Sequence, residues 1–143
     1  MVKLTTNTLL NRIIRGKDIR TVLKENLEEF EECTVSDYLS ELCKIHDVVP
    51  GHVIKKAQID RTYGHQIFNG TRVPSRDKLI QLAFGFELTL DETQRLLKVA
   101  GKSMLYAKIK RDAVCIYAIS HKLGVMEAQE LLASEGLPIL GDM

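Results

Sequence analysis

The chain has 143 residues, 45% hydrophobic and 27% charged, enough for a domain with a real core and ordinary for a globular protein. No run reaches the roughly 18 apolar residues of a membrane span, and the first residues carry no apolar stretch before a small-residue cleavage site, so a cytoplasmic protein with no membrane partner is expected. The net charge of +1 hides alternating blocks: −6 over residues 23–47, +4 over 48–80, +4 over 101–124 and −4 over 125–143. A nucleic acid responds to a local basic patch and not to the total.

The elements read as helices throughout, and the expected fold class is all-α. Sustained period-2 alternation is missing, and the one Asn-Gly pair, Asn69-Gly70, closes a helical segment instead of a hairpin. Thr6 or Asn7 caps a helix over 8–15 that Gly16 stops, and Asp18 opens one through about Glu29. Thr34 with Asp37 has capping-box spacing before Tyr38, Leu39 and Leu42. Pro50 suits the first turn of a short helix to about Gln58, and Asp60 caps the next, over 61–68. Ser75 caps 76–84, with Gly85 as its stop. Thr89 and Glu92 box a helix over 90–100 that ends at Gly101. A long helix over about 105–122 follows, apolar nearly all round its middle, which places it at the centre of the C-terminal half or at a subunit interface. A last helix covers about 125–134. The whole reads as one all-helical domain over 1–143, without an internal repeat. Its core lies at about 35–100, with helical extensions at 1–33 and 101–143.

The chemistry concentrates in residues 50–76. Two helices of seven or eight residues flank a tight turn at Gln58, Ile59 and Asp60, and each is too short to stand alone. Packed steeply on a larger bundle, they leave the outer face of the second helix protruding, as a major-groove reader must. That helix carries Arg61, Thr62, Tyr63, His65 and Gln66, with Ile67 and Phe68 turned inward. Arg grips a guanine edge bidentately, Gln an adenine, and Thr and Tyr serve bases or phosphates. Asn69, Thr71, Arg72 and Arg76 follow where backbone phosphates would be held, and Gly51 and His52 open the first short helix, where N–H groups could meet a phosphate.

The run Ile67-Phe68-Asn69-Gly70-x-Arg72-x-Pro74-Ser75-x-x-x-Leu79-x-x-Leu82-Ala83, followed by Leu88-Thr89-Leu90-Asp91-Glu92, resembles the recognition-helix exit and following link of the Cro/CI-like (XRE) regulators. The resemblance covers about residues 37–99. It implies a compact five-helix (lambda repressor-like) DNA-binding domain, often dimeric on a two-fold operator. It places Arg61, Thr62 and Gln66 where that family reads bases, with Tyr63 and His65 beside them. Asn69 then falls at a backbone clamp and Arg72 in the loop at the groove rim. Three positions depart from the family pattern: Gln58 replaces the usual turn Gly, Ile54 the small residue where the two helices cross, and Gly64 an apolar core residue. Leu105-Tyr106 and Arg111-Asp112 resemble an extension in some bacterial regulators of this type.

The function expected is a sequence-specific, double-stranded DNA-binding transcriptional regulator, acting as a homodimer. The alternative is a protein-interaction module on the same fold, antitoxin-like or adaptor, using the acidic stretch 25–41 or the C-terminal helices for its partner. No P-loop, G-x-S-x-G, G-x-G-x-x-G or H-E-x-x-H pattern is present, so neither an enzyme nor a cofactor is expected. Cys43 and His46 share a helix face with His52 near in sequence, but three or four zinc ligands are not assembled, and a packed Cys beside a surface His is the reading adopted.

Overall fold

The computed structural model describes residues 4–30 and 33–141. All regular structure among the described residues is helical. Where one domain was expected, the chain divides into two compact units, Met1–Cys33 and Thr34–Met143.

The first unit holds α1 (Thr6–Arg15) and α2 (Ile19–Glu25), followed by a 3-10 turn at Leu27–Glu29. Thr5 caps α1 and Asp18 caps α2 through their side-chain oxygens. This unit is poor in core. Among its described residues only Val22 and Asn26 are buried, while Leu10, Ile14, Ile19 and Leu27 are at least half exposed.

The second unit holds α3 (Val35–His46), α4 (Pro50–Lys56), α5 (Arg61–Phe68), α6 (Arg76–Phe86), α7 (Leu90–Val99), α8 (Lys110–Ser120) and α9 (Val125–Ser134). α6 is its axis. Every residue over 79–86 is buried, with α4 on one flank, α3 and α7 on others, and Phe86 meeting the Phe68 ring at 6.0 Å. Gly85 was expected to end α6 at Phe84. The helix runs on to Phe86, and Glu87 closes it in the left-handed conformation at φ 61°. Gly85 serves packing instead: a Cβ there would stand 2.5 Å from the Val53 carbonyl oxygen, so α4 and α6 meet backbone to backbone.

The turn between α4 and α5 shows how the unusual residues fit. Gln58 sits at φ 57°, a conformation that costs an ordinary side chain about 1–2 kcal/mol. Ile54 and Gly64 are one exchange. A Cβ on Gly64 would lie 2.5 Å from Ile54 Cγ2, so the larger residue of α4 occupies the room vacated on α5.

The chain was read as free of repeats, and α8 was expected to start near Leu105. Both readings are corrected together. Residues 76–106 laid on 111–141, an offset of 35, agree at ten of 31 positions, from Arg76 and Asp77 (Arg111 and Asp112) to Gly101 and Leu105 (Gly136 and Leu140). The structure repeats with the sequence. Glu87 and Lys122 are both left-handed, at φ 61° and 57°, as are Gly101 and Gly136, at 70° and 69°. Gln94 exchanges two hydrogen bonds with the Leu105 backbone, donating at 2.9 Å and accepting at 2.7 Å. Gln129 does the same with Leu140 at 2.8 and 2.7 Å. Leu105 is thereby bound into an extended tail, and α8 begins only at Lys110.

The two repeats, α6–α7 and α8–α9, are joined by a reciprocal clamp. Arg76 grips Asp112 bidentately, Nη1–Oδ1 at 3.1 Å and Nη2–Oδ2 at 2.9 Å, and donates to the Ser103 and Met104 carbonyls of its own tail. Arg111 grips Asp77 with both contacts at 2.9 Å and donates to the Pro138 and Ile139 carbonyls of its tail. Asp112 also accepts from Tyr106 N–H, and Asp77 from Gly141 N–H. Each repeat gives the other what it receives, which is the pattern of a pseudo-two-fold pair and not of a head-to-tail stack. Such planar fork-on-carboxylate pairs are strong and specific in geometry. Burial works against ionised Asp77, but the Arg111 hydrogen bonds and the Gly141 N–H outweigh it and hold the carboxyl below its ordinary value. The same partnership raises Arg111 above the usual guanidinium range.

Candidate nucleic-acid interface

α5 is aimed outward by what it buries. Gly64, Ile67 and Phe68 face the bundle, which turns Arg61, Thr62 and His65 to solvent and leaves Tyr63 and Gln66 half-buried at the edge. Asp60 starts the helix by accepting from Tyr63 N–H at 3.0 Å. The far end is fixed by Ser36, whose hydroxyl donates to the Phe68 carbonyl at 2.6 Å and ties α5 to the start of α3.

Beyond α5 the chain folds back on the same face. The Arg72 guanidinium lies over the Tyr63 ring, 4.6 Å from its centroid, and its Nε–H donates to Gln66 Oε1 at 2.9 Å. Tyr63, Gln66 and Arg72 thus form one interlocked set, with Lys78 Nζ 5.8 Å from the same ring. Guanidinium stacking of this kind holds a cation in place while leaving its edge free to donate. Asn69 Oδ1 accepts from Thr71 N–H at 2.9 Å, which sets the turn between α5 and the Arg72 loop. Val73, at the crest of that loop, is 83% exposed.

On the α4 side, Arg61 and His65 line a shallow groove of about 480 Å³ with Gly51, Ile54, Lys55 and Ile59. Gly51 and His52 are exposed beside it. The Val49 carbonyl already accepts from His52 and Val53 N–H. The outer face therefore carries cations on both flanks of α5. Lys55 and Lys78 were missed in the sequence reading. The four-residue spacing from Gly51 to Lys55 along α4 was the available signal for Lys55.

Arg76 is the correction among the expected contacts. It was placed with the phosphate-holding residues, but its guanidinium is committed to Asp112, Ser103 and Met104. It fastens α6 to α8 instead of facing a ligand. The remaining expected residues, Gly51, His52, Arg61, Thr62, Tyr63, His65, Gln66, Asn69, Thr71 and Arg72, lie on or beside the α4–α5 face.

The Cys43–His46 pair forms no ligand set. His46 Nε2 meets Glu92 Oε2 at 2.8 Å, and no group of three or more His, Cys, Asp or Glu is placed to hold a metal among the described residues. Burial opposes ionisation of Glu92, but the Thr89 N–H and His46 hold its carboxyl below the usual value. Burial raises the Cys43 thiol and pushes Cys115 up to about 11, so both are protonated at neutral pH. No described helix is long and apolar enough to cross a membrane. No family model, curated protein or solved structure matches this chain.

Proposed function

We propose that this chain is a double-stranded DNA-binding transcriptional regulator of the Cro/CI-like (XRE) helix-turn-helix type, with α5 as the helix that enters the major groove. One observation carries the reading: α5 turns Arg61, Thr62 and His65 to solvent while it buries Gly64, Ile67 and Phe68 against the bundle, and the interlocked Arg72 stands at its exit. A helix held by its buried side suits the major groove, whose width admits one helix and whose edges offer patterns that Arg and Gln distinguish.

The roles divide by position. Arg61 and Thr62, in the first turn of α5, reach base edges. Gln66 reads through the pair that it forms with Arg72, its amide N–H groups and the guanidinium edge presented together. Lys55, Lys78, Asn69 and Thr71 hold backbone phosphates on either side, and such contacts fix register without reading sequence. Two copies on a two-fold operator would place two such helices one helical turn apart.

Selection of bound fragments from random duplex DNA tests this. The expected result is a recurring motif whose positions relax in Arg61→Ala and Gln66→Ala, each by about 1–3 kcal/mol of discrimination. Recovery of fragments with no shared motif, or of none above a protein-free control, would overturn base reading and favour a module that binds a protein through this fold.

A further inference from the structure

The pseudo-two-fold pairing of the repeats leaves a pair of small cavities between them. The first, about 170 Å³, lies where the start of α7 meets the end of α8. Its floor is Ala83, Phe84, Leu88 and Ile119, all buried, and Glu87 and Lys122 stand exposed at its rim. The second, about 190 Å³, lies where the start of α9 meets the end of α6. The offset of 35 relates them: Leu88 and Leu90 on the wall of the first become Leu123 and Val125 on the wall of the second. Their surroundings differ. Lys56 and Gln58, at the end of α4, help to wall the second, and Lys56 Nζ meets Glu87 Oε2 there at 3.0 Å. The first is lined by the two repeats alone. Lys122, the counterpart of Glu87, pairs with no carboxylate among the described residues.

Water fits the first cavity poorly. The floor side chains offer it nothing polar, and the carbonyls beside them are engaged. Ala83 accepts from Leu88 N–H at 2.9 Å, Phe84 from Glu87 N–H at 3.1 Å and Ile119 from Lys122 N–H at 3.1 Å. A buried water needs two to four polar partners, whereas an apolar cavity of about 150 Å³ takes a benzene ring. Replacing poorly held water by an apolar group gains affinity.

We propose that this first cavity binds a small carboxylic acid carrying a single six-membered ring, with the ring on the floor and the carboxylate at Lys122. Size selects the ring, since 170 Å³ holds one and no more. Charge selects the acid. Lys56 already balances Glu87, which leaves Lys122 as the uncompensated charge at the rim. An amine would meet Lys122 as a like charge, and a neutral ring would leave it unused. Binding is weak, with a Kd on the order of 1 mM, because the cavity is smaller than the roughly 300–1,000 Å³ of sites for larger ligands. The site follows from the geometry of the repeats and does not need the DNA-binding reading.

Titration of the full chain with phenylacetate, followed by amide chemical shifts in NMR and without DNA, tests it. Saturable shifts are expected at the amides of 83–90 and 119–123. Phenylacetamide, the neutral probe of the same shape, should bind about two- to fivefold more weakly, as an ion pair at an exposed lysine allows. Lys122→Gln should remove that preference, and Gln already holds the same left-handed conformation at position 58. Lys98→Gln, exposed on α7 and outside the cavity, should leave it unchanged. Ala83→Leu fills the floor and should weaken phenylacetate at least about tenfold. Circular dichroism shows whether each variant is folded, and the two exposed lysine variants carry the test if Ala83→Leu does not fold. Shifts absent from these amides across the millimolar range, equal affinity for acid and amide, or a folded Ala83→Leu that binds as wild type would each overturn the proposal. Because no DNA is present, none of these outcomes depends on whether α5 reads bases.

Discussion

The repeats α6–α7 and α8–α9 share a frame and differ in what covers them. Both use an Arg-Asp pair at the first helix, a left-handed residue before the second, and a Gln that pins an extended tail. Yet α6 is buried all round, whereas α8 buries Asp112, Cys115, Ala118 and Ile119 and leaves Tyr117 half exposed. Capping and clamp residues therefore specify the repeat, and the outward side chains specify what docks on it. Gly85 in α6 is a docking residue in this sense, and Ser120 is its uncovered counterpart.

The clamp gives the largest test of that comparison. Asp112→Ala strands Arg76 and the Tyr106 N–H around a side chain only 4% exposed, and should cost about 3–5 kcal/mol in chemical denaturation. Asp77→Ala removes the equivalent carboxylate, but at 27% exposure, and should cost less than half as much. The lowered Asp77 carboxyl adds a sign. Its contribution is complete above the usual carboxylate pKa of about 4 and is lost as pH falls through the lower folded value, so Asp77→Asn should flatten the acid limb of the stability curve.

The covering helices come next. Gly85→Ala drives a methyl into the Val53 carbonyl and should destabilise by roughly 1–3 kcal/mol or more, seen as a lowered Tm. Ser120→Ala, at the equivalent open position, should stay within about 0.5 kcal/mol. Equal effects would mean that the two faces do not differ as described.

The same logic applies where α4 crosses α5. Ile54→Ala alone should cost about 2–5 kcal/mol and Gly64→Ala alone about 1–3. In the Ile54→Ala background, Gly64→Ala should stabilise, because the methyl enters the vacated space and Ala favours the helix. A double variant whose cost equals the sum of the two would deny the exchange. The smallest effect belongs to the turn: Gln58→Gly should raise stability by a few tenths to about 1 kcal/mol, the left-handed strain removed less the added freedom of the unfolded chain.

Much of this was legible from local signals. The boxes at Thr34 and Thr89 and the caps at Asp18, Asp60 and Ser75 all sit where their side chains promised, because a cap is read within three residues. The outward residues of α5 followed from the inward Ile67 and Phe68. What escaped was long-range. Gly85 reads as a stop until its neighbour across the bundle is known, and Leu105 reads as helical until Gln94 is seen to hold it. Arg76 looked like a phosphate ligand because its partner Asp112 lies 36 residues away. The repeat was present in the letters, but only about a third of its positions are identical, and those are mostly frame residues whose common purpose appears when the clamp is closed.

The proposed function requires α5 and its flanking cations to meet DNA phosphates and bases, and affinity for duplex DNA as a function of salt tests that most directly. Binding should weaken steeply and linearly on a log–log plot. Lys55→Ala and Lys78→Ala should each lower the slope by about 1, and Arg76→Lys should leave it unchanged in folded protein. Absence of binding at low salt, or a slope that does not respond to Lys55 and Lys78, would contradict it.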